Sequence, residues 1–298
     1  MTGMLFIDPA RHRTGQASHR GEALYMLVAD GEVQGDGAER PAIAWVERSA
    51  IALADDAAWW VRLGTLEGRE RYAAIRIGET QQADSVPFRP ARHAGFLSLF
   101  QLGRCAPAEQ QFAARAAHLA SWLHRSRFCG SCGHGTDYVT GLNKMVCRNA
   151  ACGASTYPRV EPAVIMLVVC GDSCLLARQN TYPAGYFAPL AGFVEAGETP
   201  EQAVGREVME EVGLVLDSVE YLGAQPWPFP GSLMLGFIAT AAPGQQISLS
   251  DEIAETVWAG REQIAEVIRS KARQGPLLLP PAGVIGRMLI DQWMARAS

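Results

Sequence analysis

Residues 192–214, GFVEAGETPEQAVGREVMEEVGL, decide how this chain is read. Within them Glu207, Glu210 and Glu211 are spaced i, i+3, i+4. On a helix that spacing puts three carboxylates on one solvent-facing side, about one turn apart. Three like charges held so close repel unless a cation neutralises them, and hard oxygen ligands suit Mg²⁺ or Mn²⁺. Local signals predict the helix. Thr199-Pro200-Glu201-Gln202 has the form of a capping box, with Thr at N-cap, Pro at N1 and Gln at N3. Gly213 is a natural stop. Ala203, Val208 and Val212 supply a partial apolar stripe, and Glu198 and Arg206 are placed to pair across a loop framed by Gly192 and Gly197. Taken alone, three glutamates also read as a solvated acidic helix face.

The full pattern is Gly-x5-Glu-x7-Arg-Glu-Val-x-Glu-Glu-x-Gly-Leu, and it resembles the Nudix box with every defining position present. The resemblance implies hydrolysis of a nucleoside diphosphate linked to another group. Metal ions neutralise phosphate charge in such chemistry and lower the pKa of a water, and a carboxylate takes its proton. By the same resemblance Glu207 and Glu211 are metal ligands, Glu210 is a further catalytic candidate, and the carbonyl of Ala191 is a ligand as well. Glu198 ranks lower, as a loop support through Arg206.

Two further stretches narrow the substrate. The run Gln225-Pro226-Trp227-Pro228-Phe229-Pro230-Gly231-Ser232 follows the box. It resembles the Ser-Gln-Pro-Trp-Pro-Phe-Pro-x-Ser signature of the NADH pyrophosphatase (NudC-like) subfamily, with Ala224 in place of the first serine. Closely spaced prolines stiffen the backbone and would present Trp227 and Phe229 as surfaces for a base. The other reading is a Pro-rich loop whose aromatics fill the core. The second stretch is Cys129-x2-Cys132-x14-Cys147-x4-Cys152, two close pairs with the spacing of a ribbon-type Zn²⁺ site. Two disulfides or four unrelated thiols are the alternatives, and a chain without an export signal disfavours disulfides. Four thiolates leave no open position, so the zinc is expected to be structural. His134 is an alternative ligand, and Cys105, Cys170 and Cys174 read as small apolar residues.

A zinc ribbon, then the box, then the Pro-rich run is the order in NADH pyrophosphatases, and the resemblance covers about residues 125–295. It implies a substrate pocket using Tyr157, Phe193, residues 225–232 and Gly286, and a distant metal ligand at Glu252. Gly286 stands where the family often has alanine. The implied activity is Mg²⁺- or Mn²⁺-dependent cleavage of NAD(H) to NMN(H) and AMP, extending to removal of NAD caps from RNA 5′ ends, in a homodimer. The alternatives are hydrolysis of ADP-ribose or dinucleoside polyphosphates, a non-catalytic nucleotide-binding regulator, and a zinc-ribbon nucleic-acid-binding protein with the box fold as scaffold.

The whole chain sets the bounds. Its 298 residues are long enough for two domains. A hydrophobic fraction of 48% and mean hydropathy of +0.01 describe a globular protein. A net charge of −5 argues against a broad nucleic-acid-binding surface, yet Arg125, Arg127, Lys144, Arg148 and Arg159 gather around the cysteines. No apolar run is long enough for a membrane span, and Pro9 with the basic residues after it breaks any signal-peptide core, so a cytoplasmic setting is expected. The expected fold is α+β: residues 1–104 a β-rich, antiparallel N-terminal domain, 105–126 a linking helix, 127–160 the zinc ribbon, and 161–298 a Nudix α/β/α sandwich.

Overall fold

A computed structural model of the protein describes residues 23–29, 32–34, 45–47, 58–76, 96–97, 107–139, 141–227, 231–270 and 275–296. The chain divides into two compact units, residues 1–159 with 228–231, and residues 160–227 with 232–298.

In the first unit, β1 (Leu24–Ala29), β2 (Glu32–Gln34), β3 (Val46–Glu47), β4 (Ala58–Leu66), β5 (Arg69–Arg76) and β6 (Phe96–Leu97) form a sheet in the order β4-β5-β1-β2-β6, with β3 also on β1. β4 and β5 are a hairpin turning through Glu67 and Gly68, both at positive φ. The purely antiparallel expectation is corrected here: β1 runs parallel to β5, Tyr25 facing Tyr72. Parallel neighbours need a long crossover, and local alternation carries no trace of one. Helix α1 (Pro107–Arg125) lays Phe112, Ala113, Ala116, Leu119, Ala120 and Leu123 into a core with Met26, Val61, Leu63 and Ile75. A small sheet follows, β7 (Thr136–Val139), β8 (Lys144–Cys147) and β9 (Ser155–Thr156), in that order. Met145 of β8 joins the α1 core.

The second unit is built on a mixed sheet in the order β13-β14-β10-β11-β15, with β12 added to β10. Its strands are β10 (Glu161–Cys170), β11 (Ser173–Gln179), β12 (Leu190–Phe193), β13 (Leu216–Trp227), β14 (Ser232–Ala241) and β15 (Ile253–Gly260). Central β10 is an almost unbroken apolar run because both its faces are covered. Val164, Met166 and Val168 enter one core, where α2 (Pro200–Val212) packs Ala203, Val204, Val208 and Val212. Ile165, Leu167 and Val169 enter the other, with Ile264 of α3 (Arg261–Ser270) and Ile285, Leu289, Ile290 and Trp293 of α4 (Ile285–Ala295). The period of two along one strand thus makes the α/β/α sandwich. No helix among the described residues is long and apolar enough to cross a membrane.

Candidate active site

The box helix starts as its sequence dictates. Gln202 N–H donates to Thr199 Oγ1 at 3.3 Å, and Thr199 N–H donates to Gln202 Oε1 at 2.8 Å. Pro200 occupies the first turn, where its missing N–H costs nothing. At the other end Gly213 adopts φ 71°, and its N–H closes on Met209 O at 3.0 Å. A left-handed residue there favours glycine.

Glu211 lies on the buried side of this helix, 6% exposed, and the expectation that it faces solvent is corrected. Its spacing from Val204, Val208 and Val212 puts it at the margin of the apolar stripe. Its Oε2 has no hydrogen-bond partner. Burial, and after it the nearby Glu207 and Glu252 carboxylates, push its pKa up to about 8. A buried carboxyl with an unpartnered oxygen and two further acids nearby fits a cation, which would favour its ionised form.

Glu252 reaches this place through backbone ties. Ser250 N–H donates to Glu211 O at 3.0 Å, and Ser248 N–H to Val212 O at 3.0 Å, so the loop before β15 is fastened to the end of α2. Asn180 fastens it from the other side: its N–H donates to Glu252 O at 3.1 Å and its Nδ2 to Asp251 O at 2.6 Å. Asn180 follows a register shift between Arg178 and Gln179 in the β11–β15 pair. Such bulges re-aim side chains beside sites. Tyr182, two residues on, packs edge-to-face on Tyr186 at 5.3 Å, and its pKa is raised by burial and then by Glu211. Sequence reasoning missed Asn180, Ser250 and Tyr182; only the fold brings them beside the helix.

Arg206 organises the loop that precedes α2. Its Nε and Nη2 donate to the two oxygens of Glu198 at 2.7 and 3.0 Å, and Nη2 also donates to Phe193 O at 2.8 Å. Its Nη1 donates to Glu207 at 2.9 Å and to Glu210 at 3.1 Å. The guanidinium beside Glu198 holds that carboxyl below its ordinary value, helped by the N–H of Glu195. The expected Glu198–Arg206 pair is therefore present. Glu210 extends into solvent, its side chain 61% exposed. Gly192 has a separate reason to be glycine: a Cβ there would stand 1.9 Å from Glu207 Cδ. Glu207 thus lies against β12, next to Ala191, which pairs with Ile165 in register. Phe193 ends the strand with its ring 55% exposed.

The Pro-rich run is an edge strand rather than an irregular loop as far as Trp227. Gln225, Pro226 and Trp227 pair with Met234, Leu233 and Ser232. Proline is tolerated there because β13 lies at the sheet edge. Gln225 uses both ends of its amide internally, donating to Gly283 O at 2.9 Å and accepting from Ile285 N–H at 2.7 Å. It thereby fixes the entry to α4 and the buried Gly286. Trp227 is half-buried and Ser232 is buried. Pro228, Phe229 and Pro230 lie outside the described residues, as does Cys105.

In the first unit Tyr157 is 54% exposed, and Gly231 packs beside His118. There the four cysteine sulfurs lie within 4.8 Å of one another. Cys129 Sγ to Cys152 Sγ is 3.8 Å, and Cys132 Sγ to Cys147 Sγ is 3.4 Å. These are free thiols, too far apart for a disulfide. Tetrahedral sulfurs around zinc stand about 3.8 Å apart, given Zn–S bonds of about 2.3 Å, so the set fits that ion. The knuckle amide of His134, and then the Cys147 thiol, pull Cys132 down to about 6. His134 Nδ1 lies 3.2 Å from Cys132 O, and the alternative ligand His134 is not among the donor atoms that cluster, which are the four sulfurs.

Residues 159–278 match the family described as NUDIX domain. The chain is 40% identical over 243 residues to the NAD-capped RNA hydrolase NudC of Mycobacterium bovis (strain BCG / Pasteur 1173P2), covering 79% of this chain and 75% of that protein. It is 41% identical over 189 residues to the NAD-capped RNA hydrolase NUDT12 of Macaca fascicularis, and 40% identical over 189 residues to that of Homo sapiens. Those two alignments each cover 61% of this chain and 41% of the relative, so the chain spans about two fifths of the NUDT12 proteins. An intact box helix on an α/β/α sandwich, a four-cysteine cluster and this degree of identity to NudC agree: the chain belongs to the Nudix hydrolase family, in its NudC-like subfamily.

Proposed function

We propose that the protein hydrolyses the central diphosphate of NAD(H) to NMN(H) and AMP, and that it removes NAD caps from RNA 5′ ends, leaving a 5′-monophosphate. The observation that carries this is Glu211: a buried carboxyl with an unpartnered oxygen, flanked by Glu207 and Glu252, on an intact box helix. The names of the NudC and NUDT12 relatives support the substrate.

In this reading Glu207, Glu211, Glu252 and the Ala191 carbonyl hold Mg²⁺ or Mn²⁺, which supplies phosphate neutralisation and water activation when bound. Arg206 keeps Glu207 and the Phe193 carbonyl in place, so the ligand set is positioned in advance. Glu210, the exposed acid between Glu207 and Glu211, is the candidate to take the proton of the attacking water. That water's oxygen bonds to one phosphorus, the bridging P–O bond breaks, and two phosphomonoesters leave with one proton. The exposed Phe193 and the half-buried Trp227 of the second unit offer faces for nicotinamide or adenine stacking, and Tyr157 is a separate stacking candidate in the first unit. Cys129, Cys132, Cys147 and Cys152 hold a structural Zn²⁺. The four-part division at residues 104, 126 and 160, the homodimer and the cytoplasmic setting belong to the same proposal.

Mass analysis of products from NADH, NAD⁺, NAD-capped RNA, ADP-ribose and Ap4A with Mg²⁺ or Mn²⁺ tests it. NMN(H) with AMP from the dinucleotide, and 5′-monophosphate RNA from the capped strand, are expected. A higher kcat/KM for ADP-ribose or Ap4A would overturn the substrate assignment. No hydrolysis of any diphosphate would overturn the activity.

A further inference from the structure

The chain is acidic as a whole, but its charge is unevenly distributed. Residues 125–160 contain five lysines and arginines and one acid, Asp137, so this segment is +4 while the other residues sum to −9. The cysteine cluster organises that segment into a sheet, and the sheet has two unlike faces. Side chains alternate along a strand, and directly opposed residues share a face. One face carries Thr136, Met145 and Cys147, all buried, with Met145 in the α1 core. The other face is built in rows. Phe128 opposes Gly135, and Gly135 opposes Arg148, whose N–H donates to Gly135 O at 3.0 Å. Asp137 opposes Val146 and then Ser155, and Val139 opposes Lys144.

This second face is partly open to solvent: Ser155 is exposed, and Val139, Lys144 and Val146 are half-buried. Phe128 is 67% exposed, and the Arg148 and Asp137 side chains are 63% and 64% exposed. Arg148 folds over Gly135, which has no side chain of its own to fill the space before Phe128. An aromatic ring that could have been buried is instead held out at the edge of a basic sheet. A single exposed ring is ordinary on a protein surface, and it is the cations on the same face that give this one recognition chemistry. A flat ring beside cations is what a single-stranded nucleic acid requires: phosphates meet the charges and an unpaired base stacks on the ring.

We propose that the solvent face of the ribbon sheet, Phe128 with Lys144 and Arg148, binds single-stranded RNA, the strand that continues 3′ of the NAD cap. This rests on the reading of the protein as acting on NAD-capped RNA. It adds a polynucleotide site on residues separate from those holding the diphosphate. The Arg148–Asp137 pair, at 2.7 Å, neutralises the one acid of the segment, and the guanidinium keeps further N–H donors for a phosphate. Binding the strand raises the local concentration of its cap, so capped RNA gains over free dinucleotide.

The test uses the full-length zinc-loaded protein with Phe128→Ala and Lys144→Ala. Fluorescence anisotropy reads binding to an uncapped single-stranded RNA across a salt series, and kcat/KM is measured for NADH and for NAD-capped RNA. Lys144→Ala is expected to lower the slope of log affinity against log salt by about 0.7, the share of one phosphate contact. Phe128→Ala is expected to weaken binding about tenfold with an unchanged slope, the share of one stacked base. Both lower kcat/KM on capped RNA by a similar factor and leave NADH hydrolysis and zinc content as in the wild type. Three results would each overturn the proposal: wild-type protein that does not bind RNA even at low salt, both variants matching wild type on capped RNA, or a duplex bound as tightly as the single strand. Should the wild type cleave neither NADH nor capped RNA, the proposed activity falls, while binding of the uncapped strand still decides this site.

Discussion

Glu211 is under two opposed demands. In the proposed reaction it must be ionised to hold a cation, yet burial and then two neighbouring acids hold its folded pKa at about 8 against an ordinary 4.5. A group whose folded pKa is raised contributes its full stability below the unfolded value and loses it as pH rises through the folded one. Protein without added Mg²⁺ is therefore expected to lose thermal stability between about pH 4.5 and pH 8, and Mg²⁺ should stabilise it more at pH 8 than at pH 5. Glu211→Gln keeps the shape without the charge. It should flatten that pH dependence, raise the metal-free melting temperature at pH 8, and cut kcat by several orders of magnitude. Melting curves with and without Mg²⁺ from pH 5 to 9, beside single-turnover assays, measure all three. A wild-type curve as flat as the variant's would show that Glu211 is ionised without a cation, and turnover retained by the variant would remove it from the reaction.

Among elements, β12 and α2 come closest where Gly192 lies under Glu207. Gly192→Ala would drive a methyl group into a carboxylate that Arg206 already holds at 2.9 Å, so the acid must leave its place. The expected outcome is a Mg²⁺ requirement raised about tenfold or more, with stability lowered by about 1 kcal/mol, because the displaced group is the flexible end of a side chain and not backbone. Metal titration of activity, read against a urea denaturation curve, separates these. An unchanged Mg²⁺ requirement would mean that Glu207 is not a ligand. On the next strand, Gln225→Leu should cost on the order of 1–3 kcal/mol by leaving Gly283 O and Ile285 N–H without partners. Unchanged stability in that variant would mean that water replaces the amide. The helix could be read from sequence because its signals are local: Thr199, Pro200 and Gln202 start it and Gly213 stops it. The proposed ligand role of Glu252 could be reached only by resemblance, because its approach depends on the bulge after Arg178 and on ties from Asn180 and Ser250, contacts of long sequence separation. The parallel β1–β5 pair escaped notice for the same reason. Glu211 was misplaced in exposure because an apolar stripe one residue wider than Ala203, Val208 and Val212 already encloses it.

Across the whole molecule, the proposed metal chemistry divides by ligand softness: thiolates in the first unit and carboxylates in the second. The ribbon sheet contributes only a few buried side chains of its own, and Met145 ties it to the core that α1 shares with β1, β4 and β5. Metal binding in so small a sheet is folding free energy, since four free thiols clustered within 4.8 Å pack little else. Cys147→Ser should therefore abolish stoichiometric zinc and lower the melting temperature by several degrees. The damage should spread through Met145 to α1 and β5 while the cores on either side of β10 keep their own packing. Hydrogen exchange gives the readout: faster exchange in β7, β8 and the last turns of α1, and unchanged protection in β10, β11 and β14. Zinc measured by elemental analysis at one per chain in the wild type and near zero in the variant completes it. Faster exchange throughout β10 and β14 would show that the two units unfold as one, and wild-type protein without zinc would remove the metal from the account of the first unit's stability.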